Sequence, residues 1–216
     1  MRVEGRELRE RGGGPSLTPV IVVAGCYLAA QILSDVTSLR IITLFGFSMD
    51  AGTLVYPITF TLRDLVHKTA GVRAARTLIV LAAGVNLFMA GLFWLVARLP
   101  ADPAVGAQTA FGDVLSPVWR IVLASIAAEV LSEILDTEAY RFWVGRVSGR
   151  LQWARVLFSN GLSVPVDSLL FCWLAFGAVY PGAVVWSIVW SNILLKMATT
   201  VASVPLIYAV RERREA

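Results

Sequence analysis

The chain has 216 residues, 57% of them hydrophobic and only 16% charged, with a formal net charge of +4 and a mean hydropathy of +0.71. Soluble domains lie nearer roughly 45–50% apolar and about 25% charged, so an ordinary water-soluble globule is excluded and lipid is the natural solvent. The basic residues sit in short clusters between apolar runs and lack the aromatic interleaving of a single-strand binding groove. The positive balance therefore suits anionic headgroups rather than nucleic acid.

Residues 1–17 (MRVEGRELRERGGGPSL) are charged and then Gly-rich; they read as a flexible cytoplasmic tail, and the acidic content argues against a signal peptide. Six apolar runs follow, at Thr18–Leu39, Ser48–Leu65, Ala74–Ala97, Pro117–Asp136, Val156–Val179 and Ala183–Val210. Each is long enough to cross a hydrocarbon core of roughly 30 Å as a helix rising about 1.5 Å per residue. The second is the least regular, with Gly52 and Pro57 inside it. Residues 211–216 form a basic tail. The expected architecture is an all-α integral membrane protein with six transmembrane helices over residues 18–210.

Orientation follows from the Lys/Arg bias. Arg2, Arg6, Arg9 and Arg11, then Arg63, Lys68, Arg73 and Arg76, then Arg141, Arg146, Arg150 and Arg155, then Arg211, Arg213 and Arg214 all fall on one side of a six-span path. Arg40, Arg98 and Arg120 lie on or near the other side. The positive-inside rule then places both termini in the cytoplasm of a bacterial inner membrane.

Ionisable groups within such runs cost several kcal/mol, from about 2.5 upward, unless paired or wet, so each needs a reason. Glu129, Glu133 and Asp136 are spaced i, i+4, i+7 on the fourth run. They are either the polar wall of a cavity or, for the last two, solvated ends facing Arg141 and Arg146. Ser159, Ser163 and Asp167 share a face of the fifth run, and Asn192 and Lys196 are i, i+4 on the sixth. Asp167 and Lys196 come from consecutive helices joined by a short loop, so they can meet, as a midplane site or as a helix-locking ion pair. Phe171 and Trp173 lie deep enough to offer a stacking surface. Asn86, Gln31 and Asp35 read more simply as helix–helix hydrogen-bond glue. Trp94, Trp119, Trp143, Trp153, Trp186 and Trp190 sit near span ends, as interfacial anchors do. Cys26 and Cys172 read as buried apolar thiols, and the lone His67 has no ligand spacing around it. No metal site and no cofactor are expected, and no H-E-x-x-H, G-x-S-x-G or Walker A motif occurs; an intramembrane enzyme is therefore disfavoured, and a purely structural membrane protein would leave too many mid-span polar groups as glue.

The run from Asp50 to Asp64 (DAGTLVYPITFTLRD), with Gly71, Ala75 and Arg76 beyond it, resembles the signature of the VUT, or queuosine-precursor transporter, family. The run from Arg155 to Phe171 (RVLFSNGLSVPVDSLLF) is similar to a second motif, and Ser125–Asp136 more weakly to a third. The resemblance implies a six-helix carrier for 7-deazaguanine precursors such as the 7-cyano and 7-aminomethyl compounds or queuine. It carries Gly52, Tyr56, Pro57, Asp64, Asp136, Arg155, Ser159 and Asp167 onto family positions. Departures are Lys68 where the family has Glu, and Asp35 and Arg40 where it has Asn and Lys.

The chemistry agrees. A deazaguanine shows two N–H donors beside a carbonyl; a carboxylate from Asp167, Glu129 or Glu133 accepts both donors. Phe171 or Trp173 can stack, and Tyr56, Asn86, Asn192 and Lys196 complete a candidate substrate site. The expected partners are membrane lipid and this nucleobase-like ligand, with a homodimer left open. The alternative is the substrate-binding membrane subunit of an ATP-driven vitamin importer, which needs a partner energising module.

Overall fold

The structure is a computed structural model that describes residues 17–146 and 152–209. The expected terminal tails lie outside the described residues except for Leu17, which opens the first helix, and so do the side chains of Asp64, His67, Lys68, Glu133, Arg141, Trp153 and Arg155 within their helices. The chain is mostly helical: α1 (Leu17–Thr37), strands β1 (Ile41–Leu44) and β2 (Phe47–Asp50), a 3-10 turn (Ala51–Leu54), α2 (Tyr56–Ala70), α3 (Val72–Val96), α4 (Thr109–Leu115), α5 (Val118–Arg146), α6 (Gln152–Phe176) and α7 (Gly182–Ala209).

Five helical segments are long and apolar enough to cross a membrane, within α1, α3, α4–α5, α6 and α7. The second apolar run corrects the expectation of one continuous helix from Ser48 to Leu65. Its first part is the second strand of a two-stranded antiparallel hairpin, in which Ile41 pairs with Asp50 and Leu44 with Phe47. The helical part, α2, has 15 residues and spans about 22 Å at 1.5 Å per residue. The two-residue turn explains why a hairpin forms: Phe45 and Gly46 both take positive φ, 51° and 83°, the requirement of a type I′ turn. The expectation of an all-α fold is corrected by this hairpin alone among the described elements.

A strand inside an apolar bundle must find partners for its edge. Helix α7 supplies them. The Ser48 N–H donates to Ser187 Oγ at 2.8 Å, and Ser191 Oγ lies at donating distance, 3.0 Å, from the Ser48 carbonyl. Two serines one turn apart thus cover one residue of β2.

Two packed groups make the core. Tyr27, Val66, Ala75, Leu78 and Ala82 join α1, α2 and α3. Ile121, Ala124, Cys172, Phe176, Val185 and Ile188 are among those that join α5, α6 and α7. Met89, Ala90, Val118 and Val122 stitch the two groups together. Cys172 is buried as expected, whereas Cys26 is exposed, on the outside of α1, where an apolar thiol meets lipid rather than protein. Polar side chains collect where the two three-helix groups face each other.

Candidate functional site

Two cavities occupy that meeting place. The inner one, with an empty volume of about 360 Å³, is lined by residues of α1 (Ser34, Asp35, Ser38), the hairpin and 3-10 turn (Asp50, Gly52, Thr53), Tyr56, α5 (Ser125, Ala128), α6 (Asp167, Phe171) and α7 (Asn192, Lys196). The outer one, about 860 Å³ including its mouth, is lined by Tyr56, Arg63, Glu129, Ser132, Asp136, Asn160, Ser163, Val164, Asp167 and Lys196. Small-molecule sites typically occupy about 300–1,000 Å³; counted as space open to a water-sized sphere, the outer cavity, at about 300 Å³, reaches the bottom of that range, whereas the inner one, at about 20 Å³, is a narrow extension with room for roughly one water. Tyr56, Asp167 and Lys196 line both, so the two are one path with these three side chains at its junction.

At the junction Lys196 Nζ lies 2.5 Å from Asp167 Oδ2. Both are largely buried, so the pair is worth having only because the alternative is a lone charge in a low-dielectric interior. Ser132 Oγ sits 3.3 Å from Asp167 Oδ1, at the long end of a hydrogen bond. The Lys196 ammonium is also 4.8 Å from the centroid of the Tyr56 ring, a cation–π distance. Asp167 is thus held by one strong partner and one weak one.

Asp50 is built differently. It is 1% exposed and its carboxylate receives the Thr53 N–H at 3.1 Å, the Thr53 hydroxyl at 2.6 Å, the Ser38 hydroxyl at 2.8 Å and the Asn192 amide at 2.8 Å. Four neutral donors hold it, and they come from α1, the 3-10 turn and α7. Gly52 makes this closure possible: a Cβ there would lie 1.9 Å from Ser38 Oγ and 2.3 Å from the Ser34 carbonyl oxygen. Only a residue without a side chain lets the 3-10 turn approach α1 so closely. Ser34 Oγ donates to the Gly52 carbonyl at 3.2 Å and completes the seam.

Of the residues singled out from sequence, Asp167, Lys196, Asn192, Phe171 and Tyr56 line the inner cavity. Glu129 and Asp136 line the outer one, and one Asp136 oxygen, Oδ1, is buried without a hydrogen bond among the described residues. Ser159 is buried and Ser163 lines the outer cavity. Asn86 lies behind the inner wall, where its amide donates to Asp35 at 2.7 Å. Trp173 lies apart from the others: it is 41% exposed, edge-on to Trp186 at 5.9 Å and not among the residues that line either cavity. Phe171 remains as the ring on the cavity wall, braced edge-on by Phe176 at 5.7 Å. Glu133, Asp64 and Arg155 have side chains outside the described residues.

Asp50, Thr53 and Ser125 enter the sequence reading only inside motif runs, without a role at the site, and Ser34 and Ser38 do not enter it at all. Asp50 carries a signal: an acidic residue at the start of an apolar, Gly-containing run. The serines carry none, because hydroxyls are common in buried helices.

The sequence matches the family described as "Putative vitamin uptake transporter" over residues 50–210. A protein of Bacillus subtilis (strain 168) named "Probable queuosine precursor transporter" is 28% identical over 187 residues, which cover 85% of this chain and 80% of that relative. No solved structure matches.

Proposed function

The chain belongs to the vitamin uptake transporter family, and from that premise we propose that it imports 7-deazaguanine precursors of queuosine through the path described above. It is a multi-pass membrane transporter and not an enzyme. Neither the family nor the relative supports the alternative of a binding subunit that depends on an ATP-driven partner.

The observation that supports this reading is Asp167 at the junction of two cavities, held by a partner that a ligand can replace. A deazaguanine presents its ring N–H and exocyclic amine side by side. A carboxylate accepts both in a bidentate arrangement, which is stronger and more selective when water is excluded. In the proposed bound state these donors take the place of Lys196 on Asp167. Lys196 then swings to the neighbouring ring carbonyl of the ligand while staying over the Tyr56 face. Phe171 supplies the stacking surface, worth about 1–3 kcal/mol per base. Asn192 stays with Asp50.

In this reading the chain makes six passes. The β hairpin, the 3-10 turn and α2 together complete the second, and both termini are cytoplasmic. The outer cavity, with Arg63 and Asp136 on its wall, then faces the cytoplasm, where the basic segments lie. The Asp50 seam closes the inner cavity on the other side. This is the arrangement of an inward-facing carrier with its site near the midplane.

The test is uptake of radiolabelled 7-cyano-7-deazaguanine by liposomes containing only the purified protein. Uptake above protein-free liposomes, reduced at least about tenfold in Asp167→Asn, is expected. No uptake without an added ATPase, or full uptake by Asp167→Asn, contradicts the proposal.

A further inference from the structure

The inner cavity holds three carboxylates, and only two are accounted for. Asp50 has four donors. Asp167 has Lys196 and Ser132. Asp35 has the Asn86 amide on Oδ2 and nothing more among the described residues. Yet Asp35 is 4% exposed and lines the inner cavity, so its second oxygen has no hydrogen-bond partner there. No salt bridge reaches it among the described residues. A carboxylate supported by a single neutral amide, in a bundle that lies in lipid, is far short of the pairing that a buried anion needs.

We propose that Asp35 is the receptor for a cationic arm on the passenger, a primary ammonium group carried at the end of the heterocycle remote from its N–H donor edge. The inference rests on the function proposed above and narrows it. Asp167 reads the ring edge, and Asp35 reads the charge on the substituent. Among the deazaguanines considered, the 7-aminomethyl compound has this pattern: its ammonium hangs from the five-membered ring, away from the ring N–H and exocyclic amine. The 7-cyano compound has no cation to offer. Asn86 is a positioning residue: by holding Oδ2 from α3 it leaves Oδ1 of Asp35 as the acceptor still to be filled. When the ammonium enters, it brings the positive charge that this wall lacks, and a charge-assisted hydrogen bond forms where the ring contacts alone would give none.

The test compares binding of three ligands to the full-length wild-type protein and to Asp35→Asn: the 7-aminomethyl compound, its neutral isostere 7-hydroxymethyl-7-deazaguanine, and the 7-cyano compound. In the wild type, the aminomethyl compound is expected to bind at least about tenfold more tightly than the hydroxymethyl one. That comparison needs no variant, so it stands even where a substitution harms folding. Asp35→Asn is expected to remove the preference while still binding the cyano compound, no more weakly than the wild type because the nitrile nitrogen no longer faces a carboxylate; a cooperative melt shows independently that the variant is folded. Equal affinity of the wild type for the aminomethyl and hydroxymethyl compounds overturns the inference. So does an unchanged preference in Asp35→Asn. A uniform loss of affinity for all three ligands in Asp35→Asn, with the proton dependence of uptake abolished, assigns Asp35 to a coupling proton instead and also overturns it. Failure of the wild type to bind any of the three is a different result: it rejects the proposed substrate class as a whole.

Discussion

Asp50 and Asp167 are the same side chain on the wall of the same cavity, and their surroundings differ in kind. Asp50 accepts four hydrogen bonds from neutral donors, three of them from residues within twelve positions in the chain. Asp167 relies on one ammonium from the next helix, and on a hydroxyl at 3.3 Å. A carboxylate whose acceptor sites are filled by fixed local groups has nothing left for a visitor, and it holds its segment still. A carboxylate matched to a single mobile charge on a flexible four-carbon stem can trade that partner for another of similar strength. Saturation suits Asp50 to a fastener, and the single partner is what makes Asp167 our proposed site.

Substitutions can break the contrast or sharpen it. Asp50→Ala strands the Thr53 N–H and the Ser38 hydroxyl at a buried seam, while the Thr53 hydroxyl keeps Asn192 Oδ1 and the Asn192 amide keeps the Ile188 carbonyl; each unsatisfied buried donor costs about 1–3 kcal/mol. A loss of about 4 kcal/mol is expected, seen as a collapse of the melting temperature in detergent together with loss of binding. Asp167→Asn leaves the Lys196 charge without its counterion. Breaking such a pair costs about 3–5 kcal/mol, and less if Lys196 sheds its proton. Here the marked effect is on ligand affinity, read by titration at a temperature where the variant is folded. Gly52→Ala forces a methyl group against Ser38 Oγ and the Ser34 carbonyl and is expected to cost about 1–3 kcal/mol, again with fold and binding lost in parallel. Trp173→Leu is expected to cost about 1 kcal/mol through its edge contact with Trp186 and to leave uptake unchanged, which checks that Trp173 supplies no ring to the cavity.

Much of this is legible in the order of residues. Apolar runs of twenty residues or more fix α1, α3, α5, α6 and α7, because lipid leaves the backbone little other choice. Asp167 and Lys196 stand out because ionisable groups are scarce in such runs, and the short connection between their helices lets them be paired. The hairpin is not legible in the same way. Ile41–Asp50 joins the end of one apolar run to the start of the next, and hydropathy does not separate a strand from a helix over so few residues. Phe45-Gly46 is a weaker turn signal than Asn-Gly. Without the hairpin, nothing brings Asp50 to Ser38 and Asn192, so the seam stays hidden. Asp35 reads as helix glue, which its bond from Asn86 fits; that it also lines a cavity is a property of how three helices and a turn come together, not of its neighbours in the chain. Trp173 illustrates the limit of depth as a criterion, since two positions beyond Phe171 on a helix is the opposite side of it.

The most direct measurement uses Asp167→Leu combined with Lys196→Met, which removes both charges at once and fills their space with apolar atoms. Replacing a buried ion pair in this way is often neutral or stabilising. Exchange at Asp167 therefore predicts a double variant that melts at or above the wild-type temperature yet shows no thermal shift with a 7-deazaguanine that stabilises the wild type. A retained ligand-induced shift in that variant would contradict the assignment and leave the pair a simple fastener between α6 and α7.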